Sequence, residues 1–421
     1  MSPQNPFYRL FETPFEIPPF NLIKNDHYLA AIKQGIIQAR IEINEIKKCL
    51  DPPSFENTIE ALEDSGSLLD KVSKTLFNLN SAETSDDLQK IAQAATPMLT
   101  SFNNEITLDK KLFERVKFVY NLNESLAEEE RMLLEKTYKS FVRNGAGLDN
   151  KSQNRFKEIT VALSNLELKF GENVLAETNN YELVLEKEDD LSGLPQDLID
   201  RAKALAIKTQ RPNKWIFTLQ APSFIPFMEN SDHRSLRQQL FIAYMQKGFK
   251  KGENDNRDLV LTIIKLRAEM AEILGYDSYS SYVLEERMAE NPKRVKDFLD
   301  DLLFKSKKKA IQEVDEVKAY MSTQGIDHEL ERWDWAYYAE KLRKKKFDFD
   351  DELLKPYFKL ENVINGVFKT AEKLFRLTFR FNDQIPTYHD EVKAYEVWED
   401  QELKAIFLAD YFPRSGKRPG A

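Results

Sequence analysis

The four histidines are the natural metal-binding suspects in this chain. The most suggestive of them opens His328-Glu329-Leu330-Glu331-Arg332. A zinc-binding helix of the His-Glu-x-x-His type sets two imidazoles about four residues apart on one face, with the Glu placed to activate a metal-bound water. Arg332 stands where the second imidazole would be, so two-point chelation fails and a solvated helix start is the remaining reading. His27 follows Asp26, and His233 sits in Ser231-Asp232-His233-Arg234; both read as helix entries. His389 follows Tyr388 just before a strand pattern. It is the histidine placed near a plausible cleft, although a structural role is favoured for it as well. The single cysteine, Cys49, excludes an internal disulfide and any multi-cysteine metal site. It closes an apolar helical stripe, as a buried or half-buried thiol does, and is not read as a nucleophile. Neither a Gly-rich phosphate loop nor a Gly-x-Ser-x-Gly elbow is present. Read from the residues alone, no catalytic set and no metal-ligating set emerges.

One further stretch stands out, Trp333-Asp334-Trp335-Ala336-Tyr337-Tyr338-Ala339-Glu340-Lys341. Its aromatics offer a large buried area with polar tips that need partners. A packed helix junction is the favoured reading, and an aromatic wall of a peptide cleft is the other.

The elements that would hold these groups are mostly helices. Glycine (13) and proline (17) are few in 421 residues, which favours long helices over a sandwich or a glycine-rich nucleotide fold. Apolar residues make up 42% and charged residues 31%, a globular balance. The net charge of -9 gives no general attraction for phosphate backbones, so nucleic acid is a poor partner. The basic runs Lys305 to Lys309 and Arg343 to Lys346 are each followed by acidic residues and read as solvated helix faces. The longest apolar run, Leu259 to Ile264, is too short to span a bilayer, so no membrane partner is expected. Met1 to Pro6 has no apolar core of a signal sequence, which makes the cytoplasm the default; a periplasmic site would follow if a leader had been removed.

Taken in order, residues 5–25 form a Pro- and Phe-rich arm. Leu29, Ile32, Ile36, Ala39, Ile43, Ile46 and Leu50 then step by threes and fours along one helix face, ended by Pro52-Pro53. Phe156, Ile159, Leu163, Leu166, Phe170 and Val174 mark a long amphipathic rod. A compositional shift near Asn179 divides residues 1–178 from 179–421. Tyr181 to Leu185 and Trp215 to Leu219 read as strands, Pro222 and Pro226 bracket an irregular stretch, and helices resume from Ser235 to about Leu274. Another helical block runs from Pro292 to Tyr320. Tyr388 to Phe412 reads as a hairpin whose charged turn is Glu399 to Glu402. The fold class is mainly α, with small β hairpins near 181–219 and 388–412. Because a sheet edge is followed so closely by Gly420-Ala421, the chain reads as the front part of something longer.

Several segments, in order, resemble the bacterial peptidyl-dipeptidases of the thimet oligopeptidase family of zinc metallopeptidases. They include Asn5-Pro6-Phe7 with Pro18-Pro19-Phe20, Pro53-Ser54-Phe55-Glu56-Asn57-Thr58-Ile59, Thr218 to Pro222 with Leu236-Arg237, and Arg267 to Tyr276 with Arg287-Met288-Ala289. The block from Trp333 to Phe358 and the run from Tyr388 to Ala421 complete the match. Asp390-Glu391 stands where the family tends to have Pro-Asp, and Pro419 where it often has Gly. The resemblance implies a helical lobe of a two-lobed cleft enzyme that cleaves short peptides and releases C-terminal dipeptides. It implies one zinc ion in the complete protein, held by residues beyond Ala421, so no catalytic or metal residue carries over and the chain by itself is expected to be inert. A short peptide is the implied partner and a monomer the implied state of the complete protein. The residues expected to wall the cleft are Tyr411, Gly420 and Ala421. The alternative from another class is a non-catalytic helical scaffold that binds a protein partner through the aromatic block.

Overall fold

A computed structural model describes residues 5–122 and 125–418. In chain order its helices begin with α1 (Asn25–Lys48), α2 (Ala61–Asp64), α3 (Ser67–Ala82), α4 (Asp86–Thr107), α5 (Lys110–Asn121), α6 (Glu128–Arg143) and α7 (Asn150–Asn180). Strands β1 (Glu182–Leu185) and β2 (Trp215–Thr218) flank α8 (Gln196–Lys208). There follow α9 (Ala221–Asn230), α10 (Arg234–Met245), α11 (Arg257–Ile273), α12 (Tyr279–Leu284), α13 (Pro292–Thr323), α14 (Arg332–Phe347) and α15 (Leu360–Phe375). The last elements are β3 (Leu377–Phe381), β4 (Lys393–Glu399) and β5 (Glu402–Ala409). The fold is mainly α, as the composition implies.

The described residues fall into two compact units. The first comprises those within Met1–Lys169, Leu261–Tyr279 and Phe368–Gly420, and the second those within Phe170–Val260 and Ser280–Val367. In the first, the stripe Ile32, Ile36, Ala39, Ile43 and Ile46 of α1 is buried in a core shared with Val72 and Leu76 of α3 and Leu112 and Val116 of α5. Leu50, the last member of the expected stripe, is fully exposed, because α1 ends at Lys48 and its periodicity ends with it. Phe7 and Phe11 of the arm enter this core, Phe7 lying 5.4 Å from the Tyr28 ring. Gly35 permits α1 and α3 to approach closely: a Cβ there would lie 3.0 Å from the Leu69 backbone. Ser85 and Asp109 cap α4 and α5 by accepting the N–H of Leu88 and Leu112.

β3, β4 and β5 form an antiparallel sheet in that order. The turn joining β4 to β5 is tighter than expected: Glu399 pairs with Glu402, and Asp400 takes a φ of 53°. Residues 388–392 are not strand, and β3 extends the hairpin to three strands. Phe368 of α15 stacks on Phe379 at 4.1 Å and meets Tyr395 edge-on at 5.0 Å, which fixes that helix to one sheet face.

In the second unit β1 pairs antiparallel with β2, and Leu183, Leu185, Leu198, Phe217, Phe227 and Leu240 form its core. The stretch around Pro222 and Pro226 is helical, not irregular. Pro222 sits in the first turn, where its N–H would have no partner, and Phe227 and Met228 bury fully enough to offset the bond lost at Pro226. The helices expected between Ser235 and about Leu274 are α10 and α11, separated by a loop containing Gly248 and Gly252, both at positive φ.

Candidate functional site

Where β5 ends, the chain turns through Pro413 and lies against the C-terminus of α3. The last carbonyls of a helix have no intrahelical partner. Here the Arg418 N–H donates to the Ser81 carbonyl at 2.9 Å, and Arg414 Nη2 donates to the Ala82 carbonyl at 2.7 Å. The Thr84 N–H returns a bond to the Gly416 carbonyl at 2.6 Å. The cationic guanidinium also complements the negative end of the α3 dipole. Arg414 additionally grips both Asp410 oxygens, at 2.8 and 2.9 Å, and pairs through Nε with Glu83. Tyr388 Oη donates to Asp410 at 2.9 Å, and Lys417 Nζ donates to the Asp410 carbonyl at 2.7 Å. The side chains of Arg414 and Asp410 are only 11% and 10% exposed, so this is a satisfied, largely buried polar knot and not a surface ion pair. Gly416 is required by the close approach: a Cβ there would stand 2.7 Å from the Thr84 carbonyl oxygen. Gly416→Ala is therefore expected to detach the strap or shift the α3 terminus, lowering the thermal midpoint by several degrees in a calorimetric scan.

The Arg414 guanidinium, together with Lys417 and the Tyr388 hydroxyl, holds the Asp410 carboxyl well below the usual carboxylate range. Burial, then donation to Asp410, pushes the Tyr388 phenol up to about 12. The two signs differ. A depressed carboxylate stabilises the fold above its unfolded value and loses that contribution as pH falls, so the knot is intact at neutral pH. A raised tyrosine contributes fully below its ordinary value of 10.0, and stability declines as pH rises from there through about 12. An absorbance titration of phenolate should show Tyr388→Phe removing one late-ionising tyrosine, and the wild-type chain should lose stability across that same interval.

Beside the strap a cavity of about 440 Å³ is lined by Pro18, Phe20, Leu79, Ala82, Tyr388 and Leu408. It is chemically suited to an apolar side chain. Among the described residues β5 pairs on one side only, with β4, leaving its other backbone edge unpaired within the sheet. Tyr411, one of the expected cleft residues, lies just past β5 and is 43% exposed. Gly420 and Ala421 lie outside the described residues. The sequence reading passed over Asp410, Arg414 and Glu83. Their signal is weak because Glu83 is more than three hundred residues from Arg414 along the chain.

The aromatic block builds a second polar centre, in the second unit. Asp334, fully buried, accepts two bonds from Arg234 Nε and Nη2 at 3.0 and 2.9 Å and one from Arg237 Nη2 at 2.9 Å. Arg237 lies 4.0 Å over the Tyr337 ring and donates to the carbonyls of Ser231 and Trp333. Tyr337 Oη donates to Asp232 at 2.6 Å. Trp333, Tyr337 and Tyr338 thus serve the packed-junction reading, while Trp335 is 38% exposed.

Each histidine has a local partner. His27 Nδ1 accepts the Lys24 N–H at the start of α1, His233 Nε2 lies 2.7 Å from the Asp189 carbonyl, and His389 Nδ1 accepts the Glu391 N–H. His328 contacts the Glu329 carbonyl and the Tyr338 hydroxyl. Among the described residues, no three His, Cys, Asp or Glu side chains converge as metal ligands.

Residues 227–421 match the model of Peptidase family M3, and the recognition drawn from the sequence stands: the chain is related to the M3 peptidases. It is 33% identical over 425 residues to dipeptidyl carboxypeptidase of Escherichia coli, covering 100% of this chain and 62% of that relative. It is 28% identical to oligopeptidase A of Salmonella typhimurium over 97% of this chain and 61% of the relative, and 31% identical to oligopeptidase A of Haemophilus influenzae over 96% and 60%. The chain thus spans about three fifths of the length of these curated relatives. No helix of the described residues is long and apolar enough to cross a membrane.

Proposed function

We propose that this chain is part of a zinc-dependent cytoplasmic peptidase that hydrolyses short oligopeptides and releases dipeptides from their C-termini. The observation that carries this reading is the alignment to a dipeptidyl carboxypeptidase along the whole chain. When bound, zinc would supply Lewis-acid activation of water. On this reading its ligands come from outside the described residues. What the described residues contribute is positioning. The unpaired edge of β5 offers alternating N–H and C=O groups to an extended peptide, Tyr411 stands at the end of that edge, and the Arg414 knot holds both in place.

The test is hydrolysis of an N-acylated tripeptide by the product of the complete reading frame, with products read by mass spectrometry. Release of the C-terminal dipeptide, lost to a chelator and restored by zinc, is the expected result. Release of single amino acids, or no hydrolysis by the metal-loaded protein, would overturn the proposal. The 421-residue chain alone is expected to show no activity in the same assay.

A further inference from the structure

The Pro- and Phe-rich arm reaches the strapped edge from the opposite end of the chain. Phe7 and Phe11 fix its first part in the core of the first unit. The chain then bends through a single turn, Pro14–Glu16, which approaches β5. Phe15 and Glu16 both sit in the left-handed region, with φ of 52° and 51°. Residues with a Cβ hold that conformation only where their surroundings impose it. Phe15 is 57% exposed, so its own burial does not impose the bend. The anchors on either side do: Phe11 before it, and after it the buried Pro19 and the half-buried Phe20. Pro18 and Pro19 restrict the backbone on the way into the next turn, where the Phe20 N–H donates to the Pro18 carbonyl at 2.8 Å.

That path ends with the Phe20 ring edge-on to Tyr388, the centroids 5.5 Å apart and the planes at 78°. The Tyr388 ring also lies 5.8 Å from the Arg414 guanidinium, and its hydroxyl donates to Asp410. Phe20 therefore bears on an aromatic side chain that touches both partners of the knot. Pro18 and Phe20 share the wall of the 440 Å³ cavity with Leu408 of β5, so arm, α3 and β5 meet at this point. Tyr388 lines the same cavity, and close packing does not hold its ring from that side. The contact with Phe20 and the bond to Asp410 hold it instead.

We propose that Phe20 is a positioning residue for peptide binding: acting through Tyr388, it sets where the Asp410–Arg414 knot holds the edge of β5. For its substrate this inference rests on the peptidase reading; the coupling of arm to edge rests on the contacts alone. Two measurements on the 421-residue chain test the coupling. Phe20→Ala admits water to the Tyr388 phenol, so the late ionisation that Tyr388→Phe removes should fall from about 12 toward the ordinary 10.0. Amide hydrogen exchange should quicken roughly tenfold at Thr84 and at residues 402–418. In the product of the complete reading frame, the same variant should raise KM for a short peptide roughly fivefold or more, with kcat within about twofold of its starting value. Phe20→Leu still covers the phenol and should recover most of each effect. Phe7→Leu serves as the comparison for stability alone. It thins the core beneath the arm and should lower the thermal midpoint, with the Tyr388 ionisation and KM unmoved.

An unmoved Tyr388 ionisation with unchanged exchange in Phe20→Ala overturns the proposal. So does a KM that stays level although exchange has quickened. An equal rise of KM in Phe7→Leu overturns it too, since the arm would then act through overall stability. Failure of the peptidase reading looks different: the unsubstituted, metal-loaded protein hydrolyses no peptide, and both proposals fall together.

Discussion

Asp334→Ala is expected to cost about 3–5 kcal/mol of stability, the range for breaking a buried charge pair from one side. The side chain is fully buried and accepts from Arg234 and Arg237, and from the Glu331 N–H at the start of α14. Removing it leaves Arg237, itself 1% exposed, as a buried cation with only carbonyl oxygens and the Tyr337 ring for compensation. It also removes the cap of α14, the helix that packs most extensively against α9, α10 and α13. Urea unfolding should show a lower midpoint with an unchanged slope. The double change Asp334→Leu with Arg237→Met should recover part of the loss, because the fully buried cation goes with its partner, while Arg234, whose side chain is 36% exposed, can turn to solvent. A single-mutant cost below about 1 kcal/mol would show that the pair is solvated and that the junction is held by its aromatics alone.

The helices were legible because a buried face repeats locally. Ile32 through Ile46 and Phe156 through Leu163 lie inside, as their spacing requires. β3 was legible in principle, since Leu377, Phe379 and Phe381 alternate with polar residues, yet a five-residue pattern directly after an amphipathic helix gives little contrast. Proline misled at α9, where tertiary burial of Phe227 and Met228 outweighs a missing backbone bond. The polar centres were not legible at all. Asp334 meets Arg237 across 97 residues and Arg414 meets Ala82 across 332, and no periodicity connects residues so far apart. In a chain with 70 acidic and 61 basic residues, composition cannot single out which of them pair. The family resemblance supplied what local pattern could not, namely the expectation that the end of the sheet is a working part of the molecule.

Arg414→Ala is expected to release the strap, at a cost of about 2–3 kcal/mol, the upper range for hydrogen bonds to charged groups. Four ties depend on this one side chain: both Asp410 oxygens, Glu83 and the Ala82 carbonyl. Arg414→Lys should recover only part of the loss, because an ammonium cannot span the Asp410 carboxylate and reach the helix end at once. The effect should be local. Hydrogen exchange should speed up at Thr84 and at residues 402–418, where the strap secures β5, and remain unchanged in α14, which belongs to the other unit. If the edge of β5 carries substrate, the same variant in an active peptidase should raise KM more than it lowers kcat, since a loosened edge binds an extended peptide less well while leaving distant chemistry intact. Faster exchange throughout the protein would mean that Arg414 supports the global fold, and unchanged exchange at the strap would mean that Lys417 and the backbone bonds to Ser81 and Thr84 hold it unaided.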